Sequence, residues 1–207
     1  MAIHIFGTSG FARETRDIAS AVGQEAVFVA SNPAERDAWR GEETVIVEDA
    51  LPDGAQCAIG IGDNATRAKI AARFAGHCTF VNLIHPTASF GAGQRERIDT
   101  ACGVIVCAGV RFTNNIIVGD FTIFNLNATI GHDVRIGDFV NIAPGANISG
   151  YVDIGERAWI GTNAAINQGR EGAPLAIGAG ATIGSGSVVV KPCEPNLTYV
   201  GIPARPR

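Results

Sequence analysis

The chain has 207 residues, 46% apolar and 17% charged, with 16 basic against 20 acidic residues, a net charge of -4 and a pI near 5.5. That length allows one large or two small domains with cores of their own. No apolar run approaches the roughly 18 residues of a membrane span, no Lys/Arg cluster invites nucleic acid or an anionic membrane, and the five cysteines follow no metal-ligand or disulfide spacing.

Residues 1–7 lack the basic flank and long apolar stretch of a secretory signal and read as a first strand. The expectation is a soluble, cytoplasmic, metal-free protein with reduced thiols. Short apolar runs at 3–6, 26–30, 45–47, 58–61 and 79–83 alternate with helical patterns at 11–22 and 65–74. Strand-helix alternation with short links predicts a small parallel sheet covered by helices. Gly, Ser and Asn cluster where the strands end, at Gly7-Thr8-Ser9-Gly10, Ser31-Asn32 and Gly60-Ile61-Gly62-Asp63-Asn64. Ligands of open parallel sheets sit beyond the carboxyl ends of the strands, so these loops are expected to line one crevice. The first loop lacks the full dinucleotide spacing of glycines, and no acidic residue ends the second strand, which argues against NAD.

From about residue 84 to 194 the pattern changes to a six-residue repeat. Steps of six from Val118 meet Phe124, Ile130, Ile136, Ile142, Ile148, Ile154, Ile160 and Ile166. A run of nine apolar hits would arise by chance roughly once in a thousand trials. A second column, four residues on, holds Thr122, Ala128, Val134, Val140, Ala146, Val152, Ala158 and Ala164. The residue after each first-column member is Gly, Asn, Ser or Ala, read as tight-turn residues. Six residues suit one short strand and one turn, and three such units close a coil of about 18 residues with the aliphatic column inside. The frame slips at 96–99 and is irregular at 168–176. Two prolines at 192 and 195 are expected to end it. The predicted division is 1–82, 83–194 and a tail, 195–207, that folds back on the coil or a neighbour.

His132 stands at a turn of the coil, pointing outward, with Asp133 beside it to hold one tautomer of the imidazole. One coil later the stacked residue is Gly150, which leaves a slot above the ring. An exposed turn histidine of no function is the plain alternative.

The run Gly131-His132-Asp133-Val134-Arg135-Ile136-Gly137-Asp138, preceded by Ile5-Phe6-Gly7-Thr8-Ser9-Gly10-Phe11-Ala12-Arg13-Glu14 and closed by Val200-Gly201-Ile202-Pro203-Ala204, resembles the bacterial sugar acetyltransferases of the hexapeptide-repeat class. The branch in question pairs a small Rossmann-like domain with a left-handed parallel β-helix. It includes nucleotide-amino-sugar N-acetyltransferases and the sialic acid O-acetyltransferase group. The resemblance implies a homotrimer that uses acetyl-CoA, with His132 as general base, Asp133 orienting it and the Gly150 N–H facing the oxyanion. It places acetyl-CoA near Asn141, Gly150, Ala158 and Gly161. It places the nucleotide-linked amino sugar near Ser9, Gly10, Ser31, Asn32, Gly62 and Asn64. The chain departs from relatives in carrying Asn141 where some have a second histidine, and Ser31 and Asn32 where acidic residues are common. Three functions are weighed: N-acetylation of such a sugar in glycan or surface polysaccharide precursor synthesis, with O-acetylation of a sialic acid-like sugar as its variant; a metal-dependent β-helix hydratase, which needs three converging histidines; and a catalytically silent assembly module.

Overall fold

The computed structural model describes residues 2–207. Strands β1 (Ile3–Phe6), β2 (Ala26–Ala30), β3 (Val45–Val47), β4 (Gln56–Ile59) and β5 (Thr79–Phe80) form a parallel sheet in the order β3-β2-β1-β4-β5. Helix α1 (Gly10–Ala21) buries Ala12, Thr15, Ile18 and Ala19, the one-sided spacing of a helix laid on a sheet. It can lie close because Gly60 faces it: a Cβ there would sit 2.7 Å from the Ala12 Cα. Helix α3 (Asn64–Arg73) starts at Asp63, whose side chain accepts from the Thr66 N–H. A further short helix, α2 (Pro33–Ala38), was not foreseen. Its start signal is nevertheless present: Asn32 accepts from the Glu35 N–H and Pro33 opens the first turn.

The rest of the chain is a left-handed β-helix with three parallel faces. The first carries strands Leu83–Ile84, Ile105–Val106, Ile123–Phe124, Asn141–Ile142, Trp159–Ile160, Thr182–Ile183 and Thr198–Val200. The second carries Ser89–Phe90, Arg111–Phe112, Thr129–Ile130, Asn147–Ile148, Ala165–Ile166 and Val188–Val189, and the third Ile117–Val118, Arg135–Ile136, Val152–Ile154 and Leu175–Ile177. Regular neighbours are 18 residues apart, as Thr129 and Asn147 are. Both aliphatic columns point inward and all their members are buried. Each such Ile is worth about 1.5–3 kcal/mol on burial.

The two irregularities are insertions. Helix α4 (Gln94–Ile98) makes Phe90 pair with Phe112 across a longer coil. Its Ile98 fills the interior, while Gln94, fully buried, donates to the Ile116 carbonyl and accepts from the Ile116 N–H, standing in for a missing strand. At 168–174 the chain leaves the coil as an arm closed by an Arg170–Ala173 bridge, so Ile154 pairs with Ile177.

Two sequence readings need correction. The glycines after the first column are not there for left-handed backbone. That conformation falls two residues later, at Phe121, Asn127, Asp133, Phe139 and Tyr151, with φ of 54–57°. Gly119 and Gly137 are required instead by the next coil, since a Cβ would lie 2.5 Å from the Gly137 C and 2.7 Å from the Glu156 N, respectively. The prolines at 192 and 195 do not stop the stacking at once. Cys193 bridges to Ile177, and Thr198–Val200 still pairs with Thr182–Ile183. Buried Tyr199 extends the core before Arg205–Pro206 folds back antiparallel.

The small domain covers the first face. Ile105, Cys107 and Ile123 pack into the cluster of Ile3, Ile5 and Phe28. Phe121 and Phe139 join Phe6 and Phe74. Arg67, 1% exposed, pins the junction: its guanidinium donates to the carbonyls of Phe121 (2.8 Å), Phe139 (2.7 Å), Ile61 and Gly62 and to Asn64 Oδ1. Burial lowers its pKa to about 10, and it remains a cation at neutral pH, solvated by dipoles in place of water. No helix among the described residues is long and apolar enough to cross a membrane.

Candidate active site

His132 and Asp133 occupy the corner between the second and third faces, the prism edge opposite the face that the small domain covers. His132 Nδ1 is 2.8 Å from Asp133 Oδ2. Asn115, one coil below, donates to Asp133 Oδ1. Hydrogen bonding by Asn115, then by His132, holds the Asp133 carboxyl below the usual carboxylate range. An ionised Asp133 accepts from Nδ1–H, which leaves Nε2 as the bare nitrogen of the neutral ring. The imidazole lies on Gly150: a Cβ there would be 2.5 Å from His132 Cε1 and 2.6 Å from Nε2. The slot expected over Gly150 is therefore filled by the histidine itself. The Gly150 N–H takes no part in the backbone hydrogen bonding between coils among the described residues, whereas its carbonyl accepts from Gly169. Beside this corner opens a cleft of about 460 Å³, lined by Asn115, Ile117, Asp133, Arg135, Tyr151 and the Arg170 end of the arm. No cluster of three or more His, Cys, Asp or Glu suited to a metal ion occurs among the described residues.

Ser9 and Gly10 lie exposed at the start of α1, and Ser31 and Asn32 lie exposed at the end of β2; none of the four lines the cleft of about 610 Å³ next to these loops. Thr8, Arg13, Glu35 and Trp39 line it. An acidic residue does reach the end of β2, but from α2. Glu35 folds back to accept from the Ser31 N–H (2.8 Å), the Ser31 hydroxyl (2.7 Å) and the Thr8 hydroxyl (2.6 Å). Burial pushes its carboxyl up, but those three hydrogen bonds outweigh it and the net shift is downward.

The remaining predicted contacts lie elsewhere. Asn64 is buried at the domain junction, donating to the carbonyls of Arg157 and Ala158. The Gly62 carbonyl accepts from Arg67 and from Asn141 Nδ2. Asn141, 3% exposed, is the outward residue of a first-face strand and lies under the small domain. Ala158 points into the coil interior and Gly161 is buried against the Ile183 carbonyl. Within the chain, Asn141, Ala158 and Gly161 are thus buried in its packing, while Asn64, nearly buried, also edges a cleft with Asp63, Arg157 and Trp159. Gly150 alone of the expected acetyl-CoA contacts stands beside His132.

Residues 2–74 match the PglD N-terminal domain family. The GDP-perosamine N-acetyltransferase of Escherichia coli O157:H7 is 45% identical over 103 residues, 50% of this chain and 47% of that protein. PerB from Caulobacter crescentus in complex with CoA and GDP-perosamine superposes with a TM-score of 0.86 at 29% identity, over 100% of this chain and 97% of that one. In both of its parts the chain is similar to PglD-type hexapeptide-repeat sugar N-acetyltransferases. The acetyltransferase domain of PglB from Neisseria gonorrhoeae FA1090 in complex with acetyl coenzyme A is likewise similar, with a TM-score of 0.86, 27% identity and coverage of 100% and 98%. The chain spans about half the length of the curated relatives it matches, whereas these solved structures are matched nearly end to end. Asn115, Tyr151 and Glu35 line the two candidate clefts and were missed by sequence reasoning. Asn115 and Tyr151 sit 18 residues before and after Asp133, a spacing that could have found them once the coil length was known.

Proposed function

We propose that the chain transfers the acetyl group of acetyl-CoA to the amino group of a nucleotide-linked amino sugar. The observation that carries this reading is the His132 corner: an imidazole tied through Nδ1 to an ionised carboxylate, its other nitrogen against Gly150, whose N–H takes no part in the hydrogen bonding between coils, with a cleft opening on the Asp133 side. A bound thioester supplies an activated acyl group, so the protein's share is a base, an oxyanion donor and alignment. His132 Nε2 takes the proton of the amine as its nitrogen bonds to the thioester carbonyl carbon; the C–S bond then breaks and the imidazolium returns the proton to the departing CoA sulfur. Asp133 faces the imidazolium so formed, and the Gly150 N–H donates to the oxygen on which charge develops. Each of these contributes about 10² to 10⁴ in rate. Thr8, Arg13 and Glu35 line the cleft that would take the nucleotide, with Ser9, Gly10, Ser31 and Asn32 exposed on the adjoining loops. Relatives bound to CoA and GDP-perosamine support both ligand classes.

The position of the two clefts supports a homotrimer. The His132 edge of the prism is opposite the face that carries the small domain, so one chain holds its base and its nucleotide crevice on different sides. A neighbour has to bring its crevice to this edge, and three prisms in a ring provide that arrangement at every edge. The test of the chemistry is CoA release from acetyl-CoA with nucleotide-linked amino sugars beside their hydroxyl counterparts. Turnover with an amine acceptor and not with the hydroxyl is the expected result; turnover with hydroxyl acceptors alone would replace N-acetylation by O-acetylation.

A further inference from the structure

We infer that Tyr151 is a positioning residue that holds the His132 imidazole in its working orientation, an inference that rests on the reading of His132 as the base. The first observation is backbone conformation. Tyr151 has φ of 55°, a left-handed geometry that disfavours bulky side chains and that the coil gives to asparagine at Asn115, Asn127 and Asn163 and to glycine at Gly145. The other bulky residues at the equivalent turn position have visible partners: Phe121 and Phe139 stack on each other, their rings parallel within 3° at 5.0 Å, and pack under the small domain, and Arg157 pairs with Glu156. Tyr151 belongs to no apolar cluster. Its ring instead stands perpendicular to the His132 imidazole, at 87° and 5.1 Å between centroids. A costly conformation kept at a polar corner points to function at that corner.

The second observation is that Tyr151 is tied to the histidine through its backbone as well. Its N–H donates to the His132 carbonyl at 3.0 Å, which fixes where the phenol ring can go. The imidazole is then bounded by Asp133 at Nδ1, by Gly150 against Cε1 and Nε2, and by the Tyr151 ring. Rotation of the imidazole away from Asp133 has to displace the phenol. Without that wall the ring is free to turn, lose the carboxylate and adopt the Nε2–H tautomer that is commoner in solution, which cannot accept a proton at Nε2.

The test compares Tyr151→Asn and Tyr151→Phe with the full-length wild type. Asparagine suits the left-handed backbone, so Tyr151→Asn is expected to fold with an unchanged or higher Tm. It is expected to lose about tenfold in kcat with acetyl-CoA and an amino-sugar acceptor while KM for acetyl-CoA stays level. Tyr151→Phe keeps the ring and is expected to retain kcat within about twofold. Independently of any substrate, imidazole ¹⁵N resonances of His132 in neutral protein report the tautomer. The expected result is mainly Nδ1–H in wild type and Tyr151→Phe, and a shift toward Nε2–H in Tyr151→Asn. An unchanged tautomer in Tyr151→Asn overturns the proposal whatever the activity does, and so does a kcat equal to wild type in a protein whose tautomer has shifted. If no acceptor is turned over at all, the resonances still decide the role of Tyr151, and the failure lies with the acetyl-transfer reading.

Discussion

Asp133 shows how much one side chain does at the corner. It accepts from Asn115 below and His132 beside it, and its lowered pKa follows from those contacts. Its stabilising effect is therefore present above the ordinary carboxylate range and is lost only as pH falls through the lowered value. Asp133→Asn keeps the size but removes the charge that fixes the Nδ1–H tautomer and faces the imidazolium. We expect it to lower kcat by about 10-fold to 10³-fold, with little change in KM for acetyl-CoA, in steady-state kinetics near pH 7. The His132-Asp133 pair was legible in the sequence because the two residues are adjacent. Glu35 was not, because its partners Thr8 and Ser31 meet it only after α2 turns it back onto β2. Asn141 was placed near acetyl-CoA by the resemblance alone, and its burial under the small domain was not legible because an outward polar residue on a coil strand reads the same on any face. Only the fold shows which face is covered.

The six-residue unit explains why the coil was read so completely. Inward and outward positions recur at fixed places, so composition alone betrays the period. The period does not say which demand a repeated glycine meets. At the corner that follows the third face, Gly119, Gly137 and Gly155 are all met by the backbone of the next coil at 2.5–2.7 Å. Gly137→Ala puts a methyl against the Glu156 N and is expected to destabilise the chain by about 1–3 kcal/mol, by the mechanism of an overpacked core. Urea unfolding of the two proteins checks this, with a lowered midpoint and an unchanged slope as the expected outcome. The insertions were visible only as breaks in the pattern. That Gln94 would replace a strand, or that 168–174 would become an arm beside the His132 corner, depends on contacts distant in sequence.

For the molecule as a whole, the decisive residue is one the sequence offers no reason to select. Arg67 reads as a surface arginine of a helix, yet its acceptors lie 54 and 72 residues away on the coil. It fixes the small domain on the first face and so sets the cleft beside α2 apart from His132 of the same chain. A trimer in sedimentation equilibrium at assay concentration is the expected consequence, and an active monomer would remove the argument from shared sites. The measurement that tests the central claim most directly is CoA release from acetyl-CoA with a nucleotide-linked amino sugar, comparing wild type with His132→Ala. The account predicts turnover by the wild type and a loss of about 10² or more in the variant. Undiminished turnover in His132→Ala would contradict it.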